Sequence, residues 1–169
     1  MNKDLSSLQT YLSFKLGEEV FAINVSKVLN ILEMKPITKV PKSPDYLKGV
    51  INLRGTVLPV VDLRIKFGMP ANEITVDTSL IVLSIDKDGE TIMLSIMIDK
   101  VREVLEFRTE EIATPPAIGT KYNSGFIKGM WRVDESFIMI LDIDRIFSVE
   151  EIVDLQEHAS KTRIKEKTN

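Results

Sequence analysis

An internal repeat constrains the fold of this chain more than any other feature of its sequence. The segment YLKG (46–49) lies 80 positions before FIKG (126–129), and no gap interrupts this spacing further along. Matched positions at the same spacing are Val57 and Phe137, Val60 and Ile140, Asp62 and Asp142, and Phe67 and Phe147. A second match, Lys27-Val28 with Lys100-Val101, has a spacing of 73. Because both halves also share one order of strands and turns, duplication is favoured over chance.

Each half is predicted to contain two hairpins, because short apolar runs flank clusters of turn residues. The turns lie at 17–19, 54–56, 86–89 and 134–136, and residues 71–77 form a linker between the halves. These patterns predict a mostly β protein built from two five-stranded barrels, about 10–67 and 79–147. Units of this size bury their apolar faces poorly alone, so we expect a shared hydrophobic interface.

Short helices are predicted to follow the first hairpin of each half. In the segment KVLNIL (27–32), Val28, Ile31 and Leu32 recur at helical spacing, which indicates a short amphipathic helix. The matching segment KVREVL after Asp99 predicts a second one. Residues 107–125, which include two prolines, are predicted to form a long loop.

The C-terminal region is predicted to form a helix followed by a flexible charged tail. Ser148 and Glu151 have the spacing of a capping box, and Phe147 with Ile152 fits a hydrophobic staple. Apolar residues then recur on one side, so we predict a helix over 148–159. The residues 160–169 are highly charged and lack apolar spacing, which favours a frayed end.

The composition argues against nucleic-acid binding and membrane insertion. The net charge is −3, acidic and basic residues are interleaved, and only 7% of residues are aromatic, so a basic stripe with stacking side chains is missing. Residues 1–11 lack the apolar stretch of a signal peptide, and no apolar run approaches the roughly 20 residues of a membrane helix. The absence of cysteine fits a reducing compartment. We therefore expect a cytoplasmic protein.

The sequence offers little catalytic chemistry. The only histidine, His158, lies in a charged stretch and is interpreted as a surface residue. The motifs that begin at Asp62 and at Asp142 could be carboxylate or metal sites, but each follows an apolar strand and begins a helical turn. Helix capping is favoured over metal binding by roughly five to one. We expect no enzyme activity, no cofactor and no metal; an enzyme and a small nucleic-acid-binding barrel remain the rival interpretations.

The segment Leu47–Phe67, LKGVINLRGTVLPVVDLRIKF, resembles the CheW family of bacterial chemotaxis coupling proteins. The resemblance rests on Lys48-Gly49, on the stretch NLRG (52–55), on Pro59 and on the stretch VDLR (61–64), and extends more weakly from about Tyr11 to Leu155. It implies a single CheW-like domain over 1–160, made of two SH3-like barrels that agree with the internal repeat. It also implies an adaptor without activity that bridges methyl-accepting chemoreceptors and the histidine kinase CheA.

By the same resemblance, the tip of the receptor's helical hairpin is expected to bind where the halves meet. The implied receptor-binding residues are Val28, Asn30, Ile31, Gly49 and Arg54. For an apolar pair such as Val28 and Ile31, burial in the core is favoured by roughly two to one over partner contact. Gly49 could equally mark a strand bulge or a close backbone approach. Arg54 could hold a carboxylate of its own chain or of a partner, and these alternatives are even.

Two further positions bear on partner choice. Many members of the CheW family carry an acidic residue where this chain has Asn30, and the corresponding residue of the second half is Glu103. A lost receptor contact and an ordinary solvated residue are equally good interpretations of Asn30. The kinase, through the C-terminal regulatory domain of CheA, is expected to contact Val57, Leu58 and Pro59. Pro59 within an apolar run also indicates an edge strand or a bulge.

Overall fold

The computed structural model describes residues 8–113 and 124–168, without the side chains of residues 124 and 162–168. Within these ranges the chain forms ten strands and two helices. The strands are β1 (Leu8–Leu16), β2 (Glu19–Asn24), β3 (Val28–Glu33), β4 (Leu47–Leu53), β5 (Thr56–Asp62), β6 (Ser79–Lys87), β7 (Glu90–Ile98), β8 (Lys100–Arg108), β9 (Ile127–Val133) and β10 (Ser136–Leu141). The helices are α1 (Leu63–Lys66) and α2 (Val149–Thr168), and short 3-10 turns lie at Val25–Lys27, Thr109–Glu111, Ser124–Phe126 and Ile143–Arg145.

The strands form two five-stranded sheets, each of which closes into a small barrel. Barrel A has the order β8-β1-β2-β10-β9, and barrel B has the order β3-β6-β7-β5-β4. Beyond the end of β3, Thr38 pairs with Val50 of β4 and so joins the two outer strands of barrel B. Ala113 and Met130 make the equivalent bridge in barrel A. The prediction of a mostly β protein with two five-stranded barrels is confirmed.

The barrels do not coincide with the halves of the sequence. The hairpin β1–β2 pairs with β8 and β10 of the second half, whereas the hairpin β6–β7 pairs with β3 and β5 of the first half. Each barrel therefore combines the hairpin of one half with three strands of the other. The segments 10–67 and 79–147 describe the repeat in sequence, but neither segment forms a barrel by itself.

The two predicted helices after the first hairpins are wrong, because these segments form the edge strands β3 and β8. Along β3 burial alternates with a period of two, with Leu29, Ile31 and Glu33 exposed and the residues between them half-buried. A shift in register between Val28 and Asn30 inserts Leu29 as an unpaired residue. Val28 packs against the shared core, Leu32 packs against the interior of barrel B, and Ile31 is exposed, so the apolar residues with helical spacing do not share one face.

Over most of their length the inner strands are buried on both faces, which explains their nearly continuous apolar sequences. On β6, Ile81 and Leu83 face a large core shared by the two barrels, whereas Leu80 and Val82 fill the interior of barrel B. The interior of barrel A is built around Tyr11 and Phe107, whose rings stack with centroids 4.5 Å apart, together with Ala22, Ile138 and Ile140. The expected hydrophobic interface between the barrels is the largest core of the molecule.

Helix α2 starts as predicted but is longer. Ser148 Oγ accepts a hydrogen bond from the Glu151 N–H, and Glu151 Oε1 accepts one from the Ser148 N–H, which completes the capping box. Ile152 and Leu155 are buried in the shared core. The helix continues to Thr168, through the segment 160–169 that was predicted to be a flexible tail. Of the predicted loop, Phe107 and Arg108 belong to β8, and residues 114–123 lie outside the described residues.

An ion pair anchors the first turn of α2 to the turn that follows β5. Lys66 Nζ lies 2.5 Å from Glu151 Oε2 and 4.9 Å from the centre of the Tyr46 ring. Burial, together with the negative charge of Glu151, raises the pKa of Tyr46 to about 12. The Tyr46 hydroxyl therefore stays neutral well into the alkaline range, beyond the pH at which an ordinary tyrosine ionises.

Truncation should separate the packed part of α2 from its exposed end. Removing all residues after Ser160 keeps Ile152, Leu155 and Ala159, so the melting temperature should change by no more than a few degrees. Removing all residues after Phe147 exposes the shared core, and each lost large aliphatic side chain costs about 1.5–3 kcal/mol. Thermal melts of the two truncated proteins beside the parent measure this difference. A large drop in melting temperature on removal of the residues after Ser160 would show that the last two turns of α2 pack against the rest of the protein.

Candidate protein-docking surfaces

The two edge strands β3 and β8 occupy equivalent places in the repeat but present different surfaces. On β3 the side chains of Leu29 and Ile31 are 46% and 49% exposed. On β8 one apolar side chain, Val104, is exposed among charged residues that include Arg102 and Glu103. Charged side chains protect an edge strand from pairing and association. The β8 edge is therefore protected, whereas the β3 edge offers an apolar surface for docking.

The predicted receptor-binding residues on this segment are divided between the core and the surface. Val28 is half-buried and packs against the shared core, so it is mainly a core residue and only secondarily available to a partner. Ile31 points towards solvent. Asn30 is half-buried and lies opposite Val82 of β6. Leu29 was missed, because a helical interpretation gives no reason to expect the strand alternation that exposes it together with Ile31.

Gly49 is a place of close backbone approach. It is buried in β4, has a φ of 150° and lies at a shift in the register between β4 and β5. A Cβ atom here would lie 2.6 Å from Ile37 Cγ2 and would also meet the carbonyl oxygen of Thr38. Both alternatives considered for this glycine, the bulge and the close approach, therefore apply. Gly49 shapes the junction beside β3 and offers no side chain to a partner.

Arg54 lies in a two-residue turn between β4 and β5. Arg54 and Gly55 both have positive φ angles, 53° and 88°, as tight hairpin turns require. The Gly55 N–H donates a hydrogen bond of 2.8 Å to Asn52 Oδ1, which fixes the turn. The Arg54 residue is exposed, and within residues 8–113 and 124–168 no carboxylate forms an ion pair with it. The guanidinium is therefore accessible to a partner.

The predicted kinase-binding residues border a groove of about 310 Å³. Strands β5 and β7 pair only from Val60 onwards, and before that point they separate. The groove between them is lined by Thr56–Pro59, by Thr91–Met93 and by the α2 residues Gln156, Ala159 and Ser160. Pro59 lies where β5 has only β4 as a neighbour, so the missing N–H of the proline costs no hydrogen bond.

Only part of this groove is open to a partner. Leu58 is 2% exposed and lies in the interior of barrel B, and Pro59 is also buried. These two residues therefore shape the groove from below instead of contacting a partner through a free side chain. Val57 is half-buried, and Met93, which the sequence interpretation missed, is 40% exposed. The accessible apolar surface of the groove is thus centred on Val57 and Met93.

The residues considered for chemistry have structural roles. Asp62 Oδ1 accepts hydrogen bonds from the Arg64 and Ile65 N–H groups, and Asp142 Oδ1 accepts one from the Asp144 N–H, so helix capping is confirmed. The His158 side chain is only 12% exposed, with Nδ1 2.8 Å from the carbonyl oxygen of Asp154, so its interpretation as a surface residue is wrong. Residues 8–113 and 124–168 contain no group of His, Cys, Asp and Glu that could hold a metal ion.

Comparisons with known proteins agree on one family. A family model described as the CheW-like domain matches residues 10–157. The chemotaxis protein CheW of Thermotoga maritima is 35% identical over 141 residues, which cover 83% of this chain and 87% of that protein. The CheW of Klebsiella aerogenes is 32% identical, with coverages of 85% and 84%. The crystal structure of the scaffolding protein TtCheW from Thermoanaerobacter tengcongensis has a TM-score of 0.75 at 29% identity and covers 85% of this chain and 90% of that one.

Among the described helices, none is long and apolar enough to cross a membrane. The one long helix, α2, is amphipathic, with Ile152 and Leu155 buried in the shared core and charged residues on its other side.

Substitution of Gly49 should reveal how tightly the backbone approaches it. Gly49→Ala should destabilise the protein by about 1–3 kcal/mol more than the cost of its positive φ alone, because the added methyl group overlaps Thr38 and Ile37. Gly89→Ala is the matched control, since Gly89 also has a positive φ, 79°, but faces open space. The control should cost only the conformational penalty of about 1–2 kcal/mol. Urea unfolding of both variants measures the difference, and equal losses would show that the junction can open without cost.

Proposed function

The chain belongs to the CheW-like domain family, and on this basis we propose that it is a non-catalytic adaptor of bacterial chemotaxis. It couples methyl-accepting chemoreceptors to the histidine kinase CheA and so supports control of kinase activity by the receptors. Such an adaptor acts in the cytoplasm, recruited to receptor arrays. The observation that supports the proposal best is the contrast between the two equivalent edges, one apolar at β3 and one charged at β8.

The receptor is proposed to dock along β3. A helical hairpin tip presents apolar side chains in a stripe, and Leu29 with Ile31 provides an apolar strip on an otherwise polar edge. Arg54 adds a charged group that can hold a carboxylate bidentately. Val28 supports the strip from below, and Gly49 lets the chain beside β3 lie close to β4. The predicted receptor-binding residues thus divide into contacts and supports.

The kinase is proposed to dock at the groove between β5 and β7, through the C-terminal regulatory domain of CheA. Val57 and Met93 form the apolar part of this surface, and Thr56 and Gln156 provide polar groups at its border. Strands β6 and β7 separate the groove from Leu29 and Ile31 of β3, whereas Arg54 lies in the turn just before Thr56, at the border of the groove. The two partners are proposed to bind one molecule at the same time, with the receptor centred on β3 and the kinase on Val57 and Met93.

The first test removes the apolar strip. The variant Leu29→Ser with Ile31→Ser should weaken binding to a chemoreceptor cytoplasmic fragment by roughly tenfold or more, since a contact worth 1.4 kcal/mol is a factor of ten. Both side chains are about half exposed, so the melting temperature should change little. Val104→Ser on the β8 edge is the matched control and should bind the fragment like the parent. Titration calorimetry with the fragment measures both affinities.

A ternary pull-down completes this test. CheA should be retained by the parent and by the Leu29→Ser, Ile31→Ser variant alike, and saturating receptor fragment should leave CheA binding largely intact. Mutually exclusive binding of the two partners would contradict the adaptor proposal. Equal loss of receptor binding in the Val104→Ser control would contradict the assignment of the docking edge.

A second test concerns the charge of Arg54. Arg54→Ala and Arg54→Glu should both melt within a degree or two of the parent, because exposed substitutions usually cost less than about 0.5 kcal/mol. Receptor-dependent activation of CheA should nevertheless fall, and more severely for Arg54→Glu, which repels the carboxylate that the arginine held. Asp134→Lys, at the equivalent turn of barrel A, is the control and should activate normally. A stable Arg54→Glu protein that activates CheA normally would show that Arg54 does not contribute to receptor binding.

A further inference from the structure

Lys27 lies at the point where the chain crosses from one barrel to the other. It is the last residue of the short turn between β2 of barrel A and β3 of barrel B. The next residue, Val28, is the first residue of the apolar edge. Whatever fixes Lys27 therefore also fixes the start of the surface to which the receptor is proposed to bind.

The Lys27 ammonium is held by carboxylates from both barrels. Lys27 Nζ lies 2.9 Å from Asp86 Oδ2 of β6 and 2.9 Å from Asp144 Oδ2 in the turn after β10. The two carboxylates are themselves linked, since the Asp86 N–H donates a hydrogen bond of 2.9 Å to Asp144 Oδ1. Burial alone would lower the pKa of Lys27, but the hydrogen bonds to Asp86 and Asp144 raise it above its usual value. The cation is thus kept charged at the seam between the barrels.

Because of the bulge in β3, the position of Leu29 depends on this anchor. Regular pairing of β3 with β6 begins only at Asn30, because Leu29 is unpaired and Val28 pairs in a shifted register. Backbone hydrogen bonds therefore fix the exposed residue Leu29 less firmly than Ile31. The position of Leu29 depends on the segments on either side of it, and on one side that segment ends at Lys27.

At the equivalent crossover of the repeat the charges are reversed, since the crossover residue is an aspartate that is held by an arginine. Between β7 and β8, Asp99 accepts hydrogen bonds from Arg64 Nη1 at 2.5 Å and from the Gly17 N–H at 2.7 Å. Arg64 takes the place in the repeat that Asp144 takes in the second half. The strand that follows this crossover, β8, has the charged edge. The molecule thus contains two comparable anchors, of which only one precedes the apolar edge.

We propose that Lys27 is a positioning residue for receptor docking, which acts by holding the start of β3 to Asp86 and Asp144. This inference rests on the proposed function, because it concerns the same receptor-binding edge. Lys27 does not contact the receptor in this account. Its side chain is 22% exposed, and its charge is directed to the two carboxylates of its own chain.

Three variants of the full chain separate anchoring from direct contact. Lys27→Met removes the charge, Lys27→Arg keeps it, and Asp86→Asn with Asp144→Asn leaves Lys27 intact but removes the carboxylates that hold it. Lys27→Met and the double Asn variant should each weaken binding of a chemoreceptor cytoplasmic fragment by about three- to fivefold, since ion pairs with an exposed partner such as Asp86 are weak. The affinity of Lys27→Arg for the fragment should lie within about twofold of that of the parent. All three variants should retain CheA, because the groove proposed for CheA lies between β5 and β7, away from Lys27.

Arg64→Met is the matched control, since it removes the anchor of the other crossover. It should lower the melting temperature at least as much as Lys27→Met does, since its side chain is more buried, yet bind the receptor fragment like the parent. Normal receptor binding by Lys27→Met would overturn the proposal, as would an equal loss in Arg64→Met. Normal binding by the double Asn variant with loss in Lys27→Met would show that Lys27 contacts the receptor directly. A parent protein that does not bind the fragment at all would instead refute the proposed function.

Discussion

The exchange of hairpins between the two halves is the constraint on which the rest of the structure depends. Because β1–β2 and β6–β7 each complete the barrel of the other half, most of each inner strand is buried on both faces. Leu80 and Ile81 are neighbours in sequence, yet they belong to different cores. The chain must also cross between the barrels after each hairpin, and a charged anchor lies at each crossover. The edge strands begin directly after these anchors, so the exchange of hairpins also decides where the proposed receptor-docking edge lies.

Features of the fold that depend on a few adjacent residues can be predicted from the sequence, whereas the pairing of distant segments cannot. The hairpin turns, the capping residues Asp62 and Asp142, and the capping box of α2 were found because each depends on a few adjacent residues. The partner of each hairpin could not be found in this way, since the same alternating apolar pattern fits a pairing within a half or between halves. His158 illustrates the same limit, because its ring lies near Lys42, 116 positions away in the chain.

The candidate site shows a related limit. A strand that is buried on both faces has no polar side, so its sequence does not distinguish Leu58, which fills a barrel, from a residue that reaches the surface. On β3, Val28 and Leu32 pack against different cores and Ile31 is exposed, so their helical spacing in the sequence does not reflect a shared face. The family resemblance pointed to β3, β4 and β5 as the segments proposed to bind partners. The division of those segments into contacts and supports depends on bulges and strand pairings that only the three-dimensional structure provides.

The joining of two repeats in one chain also has a consequence for symmetry. Two separate copies of a single repeat could exchange hairpins in the same way, but identical subunits related by a twofold axis would present two identical edges. In the fused chain the two edges can differ independently, and here one carries Leu29 where the other carries Arg102. An adaptor with two identical faces would tend to join like with like and to form open assemblies. The fused repeat instead makes the two edges different, so that the apolar β3 edge suits one kind of partner and the charged β8 edge does not bind that partner.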